Sequence, residues 1–362
     1  MKKDMTKDLE RLQALCDLFG PTGCETAVAD WIEKRVSALC DGICRDRMGN
    51  LLCLIRMGDP AAEGRRKIML SAHMDEVGFM INEICEDGML RFGTVGSINE
   101  SVMEGRKVIL GEETNRVNGV IASKAIHHRT PEERDMITTK DKLYIDIGAT
   151  SREEAEALVS VGTFGVFDSE FYRFGKDGAY LKAKALDDRM GCSTLMRVME
   201  SLRETPCEGD LDLYFCFTTR EEIGGAGARI AAQKIAPEIA IVLETTAVAD
   251  LADATPRKQV AHLGKGGTIS FMDNATVYNR PLLEFALTLA KEESIPAQIK
   301  QYVSGGNDSG VIHKSGVGVR TLTISVPTRY LHSASCVAAI SDHEAVGDLC
   351  EAILRHIHSY RP

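Results

Sequence analysis

Leu211-Asp212-Leu213-Tyr214-Phe215-Cys216-Phe217, followed at once by Thr218-Thr219-Arg220-Glu221-Glu222-Ile223-Gly224, is the stretch that decides how this chain folds. An apolar strand ends where two adjacent carboxylates begin. Neighbouring side chains on an extended chain point in opposite directions, so the pair suits two tasks, one metal ligand and one general base. A lone Glu-Glu pair is ordinarily solvated surface, but here the arrangement recurs. Ile68 to Ala72 runs into His73-Met74-Asp75-Glu76, Ile239 to Leu243 runs into Glu244, and Val319 to Val326 is followed by a loop carrying His332. Continuous apolar runs of this length fit parallel strands covered on both faces. In open α/β sheets the site lies beyond the carboxyl ends of the strands, so His, Glu-Glu, Glu and His converge on one crevice. Imidazole and carboxylate with no matched Cys pair suit a divalent transition metal.

Ala185-Leu186-Asp187-Asp188-Arg189 precedes an amphipathic helix with Met190, Leu195, Val198, Met199 and Leu202 inward. An Asp here is a helix N-cap first. Two in a row leave one carboxylate free, and its two oxygens can bridge metal ions roughly 3.5–4 Å apart. The α/β texture is interrupted. Helices are expected at Thr6 to Leu18 and Glu25 to Leu39, and strands at Leu51 to Arg56 and Lys67 to Ala72. From Val77 to Phe174 the segments become short and turn-rich, at Val77 to Ile84, Met89 to Val95, Arg106 to Leu110, Val117 to Ser123 and Lys142 to Ile147. Close-spaced short strands indicate a small β-barrel or sandwich, with a helix at Ser151 to Ser160. After Gly178 the alternation resumes, to a last helix at Asp342 to Tyr360. The fold class is therefore α/β, with residues 77–174 a β-rich, barrel-like insert in a catalytic domain built from 1–76 and 175–362.

His73-Met74-Asp75-Glu76, Leu186-Asp187-Asp188-Arg189, Glu221-Glu222-Ile223-Gly224 and Ser325 to Ser333 resemble the motifs of the M42 metallo-aminopeptidases, the TET-type enzymes related to glutamyl and leucyl aminopeptidases. Gly20-Pro21-Thr22-Gly23-Cys24-Glu25 and Gly305-Gly306-Asn307-Asp308-Ser309-Gly310 also look like family landmarks. The resemblance spans nearly the whole chain, in order. It implies a zinc-peptidase-like catalytic domain, a mixed sheet sandwiched by helices, that removes N-terminal residues from short peptides. It implies two divalent ions per subunit, zinc first with cobalt or manganese close behind, held by His73, Asp187, Glu222, Glu244 and His332. Asp187 matches the bridging ligand, Glu221 the catalytic base, and Asp75 the acidic residue that supports the first His. It also implies that the insert joins subunits, as dimers that build a dodecamer. One departure stands out. The position of Glu244 is often Asp in this family, and in related peptidases Glu there accompanies carboxypeptidases or deacylases, which keeps a metal-dependent amino-acid deacylase or carboxypeptidase as the alternative. The run Gly224-Gly225-Ala226-Gly227-Ala228, glycine-rich for the family, is expected to loosen the turn behind Glu222.

Composition narrows the partners. The chain has 362 residues, 44% of them hydrophobic, with a net charge of −10, so nucleic acid and anionic membranes are poor partners. No apolar run is long enough to span a bilayer, and Met1-Lys2-Lys3-Asp4 does not open a signal peptide. Eleven scattered Cys read as buried thiols of a cytoplasmic protein, with Cys40 and Cys44 one helix-end pair. His127-His128 reads as an insert loop, His313 and His343 as structural helix residues, and Asp308 as a turn residue that is a candidate for the pocket wall.

Overall fold

The computed structural model describes residues 5–112, 114–251 and 253–361. Its strands are β1 (Gly42–Arg45), β2 (Leu51–Met57), β3 (Arg66–His73), β4 (Gly78–Ile84), β5 (Leu90–Val95), β6 (Lys107–Leu110), β7 (Val117–Ala122), β8 (Tyr144–Asp146), β9 (Phe164–Phe167), β10 (Tyr172–Phe174), β11 (Tyr180–Ala183), β12 (Leu211–Thr218), β13 (Ile239–Ala247), β14 (Gly267–Ile269), β15 (Ala297–Ile299), β16 (Arg320–Arg329) and β17 (Cys336–Ala339). One mixed sheet runs β1-β2-β12-β3-β13-β16-β17-β11-β10, with β14 paired to β16 and β15 to β14. Its centre, β12-β3-β13-β16, is parallel. Thr218 lies opposite His73, and Glu244 opposite Ser325. All four strands therefore end at one edge, which is where the apolar runs placed their acids and imidazoles.

Both faces of these strands are covered, as unbroken apolar runs require. Ile68 and Leu70 face a core shared with the helices Met5–Asp17, Leu186–Glu204, Arg280–Glu292 and Ile340–His356. Met69 between them faces the opposite cluster, built on Ala228, Ala231 and Ile312 of the helices Ala226–Ile235 and Ser309–Ile312. The short strands after β3 close a separate barrel, β4-β5-β8-β7-β6-β9. Its core stacks Phe79 edge-on against Phe92 and Phe167, with ring centroids 5.3 and 5.0 Å away, the arrangement aromatic quadrupoles favour.

Some local expectations change. Strand β9 has no counterpart among the expected strands, because four residues with a central Gly165 carry little pattern of their own. Pairing with β4 and β6 creates it. The helix expected from Ser151 to Ser160 is only Arg152–Glu156, since Val159 turns into the barrel core. Cys44 lies on β1 and not at a helix end, and all eleven cysteines are free. His127 and His128 sit exposed in a single turn, Ile126–His128. Among the described residues no helix is long and apolar enough to cross a membrane.

The barrel closes against the catalytic sheet through glycine. A Cβ on Gly78 would stand 2.6 Å from the Gly165 carbonyl oxygen and 2.9 Å from Pro21 Cβ. Neither is a flexible side-chain end, so Gly78→Ala should destabilise the protein by about 1–3 kcal/mol, the usual range for overpacking. Chemical denaturation of the two proteins checks this, and an unchanged midpoint would count against so tight a seam.

Candidate active site

Asp187 is the hub. Its Oδ1 lies 3.1 Å from His73 Nε2 and its Oδ2 3.1 Å from His332 Nε2. Glu244 Oε1 stands 3.5 Å from the same nitrogen of His73, and Glu222 Oε2 3.4 Å from that of His332. One carboxylate thus joins two half-sites, each with an imidazole and a further acid. The fold presents Asp187 this way because Asp188, and not Asp187, serves the helix end: Asp188 Oδ1 accepts the Gly191 N–H at 3.0 Å.

Both imidazoles are held from behind by backbone carbonyls. Nδ1 of His73 lies 3.0 Å from the Asp75 carbonyl, and Nδ1 of His332 lies 2.7 Å from the Ser97 carbonyl. Donation there turns each Nε2 into the site, where it donates a proton to Asp187 and, once that proton leaves, offers a lone pair to a cation. Ser97 comes from the loop after barrel strand β5, so the barrel of the same chain fixes one imidazole. Gly96 beside it has φ +82°, and a Cβ there would meet Glu222 Cβ at 3.2 Å.

The Glu221-Glu222 turn is fixed by acceptors beneath it. Asp75 Oδ1 accepts the Glu221 N–H at 3.1 Å, while Oδ2 accepts the Glu222 N–H at 3.2 Å and the Thr22 hydroxyl at 2.7 Å. Glu25 Oε1 accepts the Arg220 N–H, and Asn50 Oδ1 the Thr219 N–H. The glycines that follow do not loosen this turn. Gly224 and Gly225 occupy positive φ, 113° and 70°, and donate back to Glu221 and Arg220 at 2.8 and 2.9 Å. At Gly227 a Cβ would stand 2.3 Å from the Thr219 carbonyl oxygen, so glycine is what lets the turn close.

The two glutamates differ in surroundings. Glu222 reaches His332, whereas the Glu221 side chain has no ion pair or hydrogen bond among the described residues and stands in the wall of a cavity of about 960 Å³. That cavity is also lined by Asp187, Glu244, His332, Lys300 and Asn307. Asp308 is not in its wall. It is buried behind, accepting the Thr218 hydroxyl at 2.8 Å.

The electrostatics are those of a crowded acid cluster. Burial and then the Asp187 charge push Glu222 up to about 8. Burial lifts Glu244 to about 8 as well, the Asp187 charge adding to it against the opposing pull of His73. Burial would lower His332, but the Asp187 hydrogen bond and the Glu222 charge carry it to about 9. Burial works against the Asp187 anion, yet the hydrogen bonds from both imidazoles hold its carboxyl well below the usual range. Acids packed this closely ionise together only if cations enter among them. Two buried oxygens of the cluster, Glu222 Oε1 and Asp188 Oδ2, also have no hydrogen-bond partner among the described residues. His73 groups within metal-binding distance both with Asp187 and Glu222 and with Asp188 and Glu244. The donor set is oxygen and imidazole nitrogen throughout, so the residues fit divalent cations.

A family model described as M42 glutamyl aminopeptidase matches residues 49–349. The chain belongs to the M42 aminopeptidase family. It is accordingly a peptide hydrolase, and peptidases of this family are metal-dependent. A putative aminopeptidase of Acetivibrio thermocellus is 32% identical over 343 residues, covering 94% of this chain and 97% of the relative. The TET aminopeptidase of a marine-sediment Thaumarchaeota archaeon superposes with a TM-score of 0.92 at 32% identity, covering 98% of each chain. The Pyrococcus horikoshii TET1 peptidase, described as assembling into a tetrahedron or a large octahedral shell, gives 0.84 at 32% identity over 96% of this chain and 99% of its own.

Beneath the site lie partners that sequence motifs did not announce. Lys184 Nζ donates to both Glu76 oxygens at 2.7 and 2.9 Å, and fully buried Arg189 donates to the carbonyls of Met74 and Leu15. Thr22 and Glu25 were legible as part of a motif, but their role under the Glu221-Glu222 turn was not. Asp75 links these layers, so Asp75→Asn, which sets an amide N–H against a buried backbone donor, should weaken divalent-cation affinity about 10- to 100-fold, the usual effect of disturbing a ligand's outer partner. Titration against a chelating dye measures it, and wild-type affinity in the variant would contradict the bracing role.

Proposed function

We propose that this M42 chain is a two-metal aminopeptidase that removes N-terminal residues from short peptides, with Glu221 as general base and Asp75 as the group that orients it. The observation that carries this reading is the divided carboxylate of Asp187, one oxygen facing His73 and the other His332. His73, Asp187 and Glu244 would hold one cation, and His332, Asp187 and Glu222 the other. Zinc suits the donors best, with cobalt and manganese next. When bound, such cations supply Lewis acidity toward water and the scissile carbonyl.

The chain's own residues do the rest. Glu221, free of partners and in the cavity wall, takes a proton from the attacking water at a carboxylate oxygen and returns it to the leaving amine nitrogen. Asp75 holds the Glu221 backbone so that this oxygen faces the cavity. The surplus of carboxylates suits a substrate that presents a cationic α-amine. Glu244 supports the second reading, a deacylase or carboxypeptidase, because it stands where Asp is usual in the family. The first reading requires hydrolysis of alanyl-p-nitroanilide with divalent metal present, loss on chelation, and no hydrolysis of its N-acetyl derivative. Cleavage of the acetylated compound in preference would transfer the chain to the second.

The division between the adjacent glutamates is equally open to test. Glu221→Gln should lose at least 10³-fold in kcat, roughly 4 kcal/mol of barrier, with both metals retained. Glu222→Gln should lose about one metal equivalent. Metal analysis of the purified variants decides, and equal metal loss in both would end the assignment.

Residues 77–174 are proposed to join subunits, and catalytic residues to lie in 1–76 and 175–362. The barrel carries exposed Val120, Ile126, Met136 and Ile137, and the TET1 relative forms closed shells. A dodecamer, with the dimer as its building block, would admit only short, unfolded peptides. Eleven unpaired cysteines support a cytoplasmic setting. Light scattering at micromolar concentration should give a mass of many chains, and a mass near the 39.6 kDa of one would refute both assemblies.

A further inference from the structure

The cavity has two unlike ends. Beside Glu244 its wall is polar and buried. Ser325, which lies opposite Glu244, is 2% exposed, and Ser270 and Lys300 are 2% and 6% exposed. Apart from the loop glycines Gly305 and Gly306, that end is closed by buried side chains. Beside His332 the wall is the loop 96–99, which follows barrel strand β5, and there Ser97 and Asn99 are exposed. The loop is fixed against the site, since the Ser97 carbonyl accepts from His332 Nδ1 at 2.7 Å. Ile98 packs on the barrel core and also lines the cavity. With Leu331 it supplies the only large apolar side chains in that wall among the described residues. Asn99 is held in one orientation. Its Oδ1 accepts the Ser101 N–H at 2.9 Å and the Ser101 hydroxyl at 2.8 Å. Those two bonds occupy the amide oxygen and fix the amide plane, while Nδ2 has no acceptor among the described residues.

An enzyme that removes one residue at a time from an N-terminus has to enclose that residue and let the rest of the chain leave. The closed end suits the first residue, and only the exposed end gives the remaining chain a way out. We infer that the departing part of the peptide lies over the barrel loop, with Asn99 Nδ2 donating to the carbonyl oxygen of the second residue and Ile98 and Leu331 beneath its side chain, so that the enzyme favours an apolar second residue. The inference rests on the aminopeptidase reading above and deepens it. A neutral amide donor matches a peptide carbonyl, which is the one acceptor every peptide presents there. Two aliphatic side chains gain by covering apolar surface, whereas a polar side chain laid on them gives up hydration without a partner. The net gain from one neutral hydrogen bond corresponds to a rate ratio of about three- to tenfold. The barrel then takes part in binding on the leaving side of the scissile bond.

The test uses the full-length, metal-loaded protein with alanyl-p-nitroanilide, whose leaving group has no second carbonyl, and with the tripeptides alanyl-leucyl-alanine and alanyl-seryl-alanine, the liberated alanine being measured by chromatography. Asn99→Asp keeps an oxygen for Ser101 but puts an acceptor where the amide donor was. It should lower the tripeptide-to-anilide ratio of kcat/KM about tenfold, and Asn99→Ser, which also keeps a capping oxygen, should lower it about threefold. Wild type should cleave the leucyl tripeptide about threefold better than the seryl one, and Ile98→Ser should erase that preference. A purely structural role of the loop, acting through Ser97 and His332, would lower tripeptides and anilide together and leave the ratio alone, which would overturn the assignment of Asn99. A wild type without leucyl preference would overturn the apolar ledge. In both of those cases alanine is still released and the aminopeptidase reading stands; if none of the three compounds is cleaved with any divalent metal, both fall. Should Asn99→Asp not fold, the ratio in Asn99→Ser decides.

Discussion

The carboxylate of Asp75 is the contact on which the site depends. It takes two backbone N–H groups from the Glu221-Glu222 turn and a hydroxyl from Thr22, and its own carbonyl holds His73. One residue thereby ties together the N-terminal segment, the end of β3 and the turn beyond β12. Hydrogen bonds to a charged acceptor are each worth roughly 1.5–3 kcal/mol, and here they join elements far apart in sequence. Desolvation of a buried carboxylate opposes this. The His73 imidazole, through its hydrogen bond and charge, outweighs it with the help of Thr22 and the Glu221 N–H, holding the Asp75 carboxyl below its usual range.

The same balance comes out differently a few ångströms away. Glu222 and Glu244 have burial like that of Asp75 but fewer donors, so their proton affinity rises instead. Asp187 resembles Asp75 because two imidazoles serve it. The site is thus a set of acids sorted by how many donors each receives, with the under-served ones left to seek cations. Glu222 Oε1, which has no hydrogen-bond partner among the described residues, stands beside His332 in the cavity wall, where a cation entering from outside would reach it.

Much of the arrangement could be read from strand ends. Apolar runs before His73, Glu221-Glu222, Glu244 and His332 gave the parallel centre of the sheet and the edge where the side chains gather, because burial on both faces leaves no other pattern. The Asp187-Asp188 pair announced one capping and one free carboxylate, though not which. Asp188 takes the cap, an outcome set by the local path of the chain around Ala185, which has φ +54°. Strand β9 escaped, since four residues hold too little periodicity and their pairing partners decide for them, and the helix expected from Ser151 to Ser160 proved shorter, Arg152–Glu156. The turn glycines were misjudged because entropy argues for looseness, whereas positive φ and the close approach at Thr219 argue for closure.

What the sequence determined by itself was chemistry and order: which residue types lie at strand ends, that a β-rich stretch follows His73, and that the whole resembles M42 enzymes. Such facts are local, carried by side-chain identity and a period of two. Tertiary structure alone decided the second ring of partners. The partnerships of Ser97 from the barrel behind His332, of Thr22 and Glu25 beneath the Glu221-Glu222 turn, and of Arg189 among main-chain carbonyls have no local signature. Each is defined by what a distant segment leaves unsatisfied, and a buried polar group finds its partner only when the chain has closed around it.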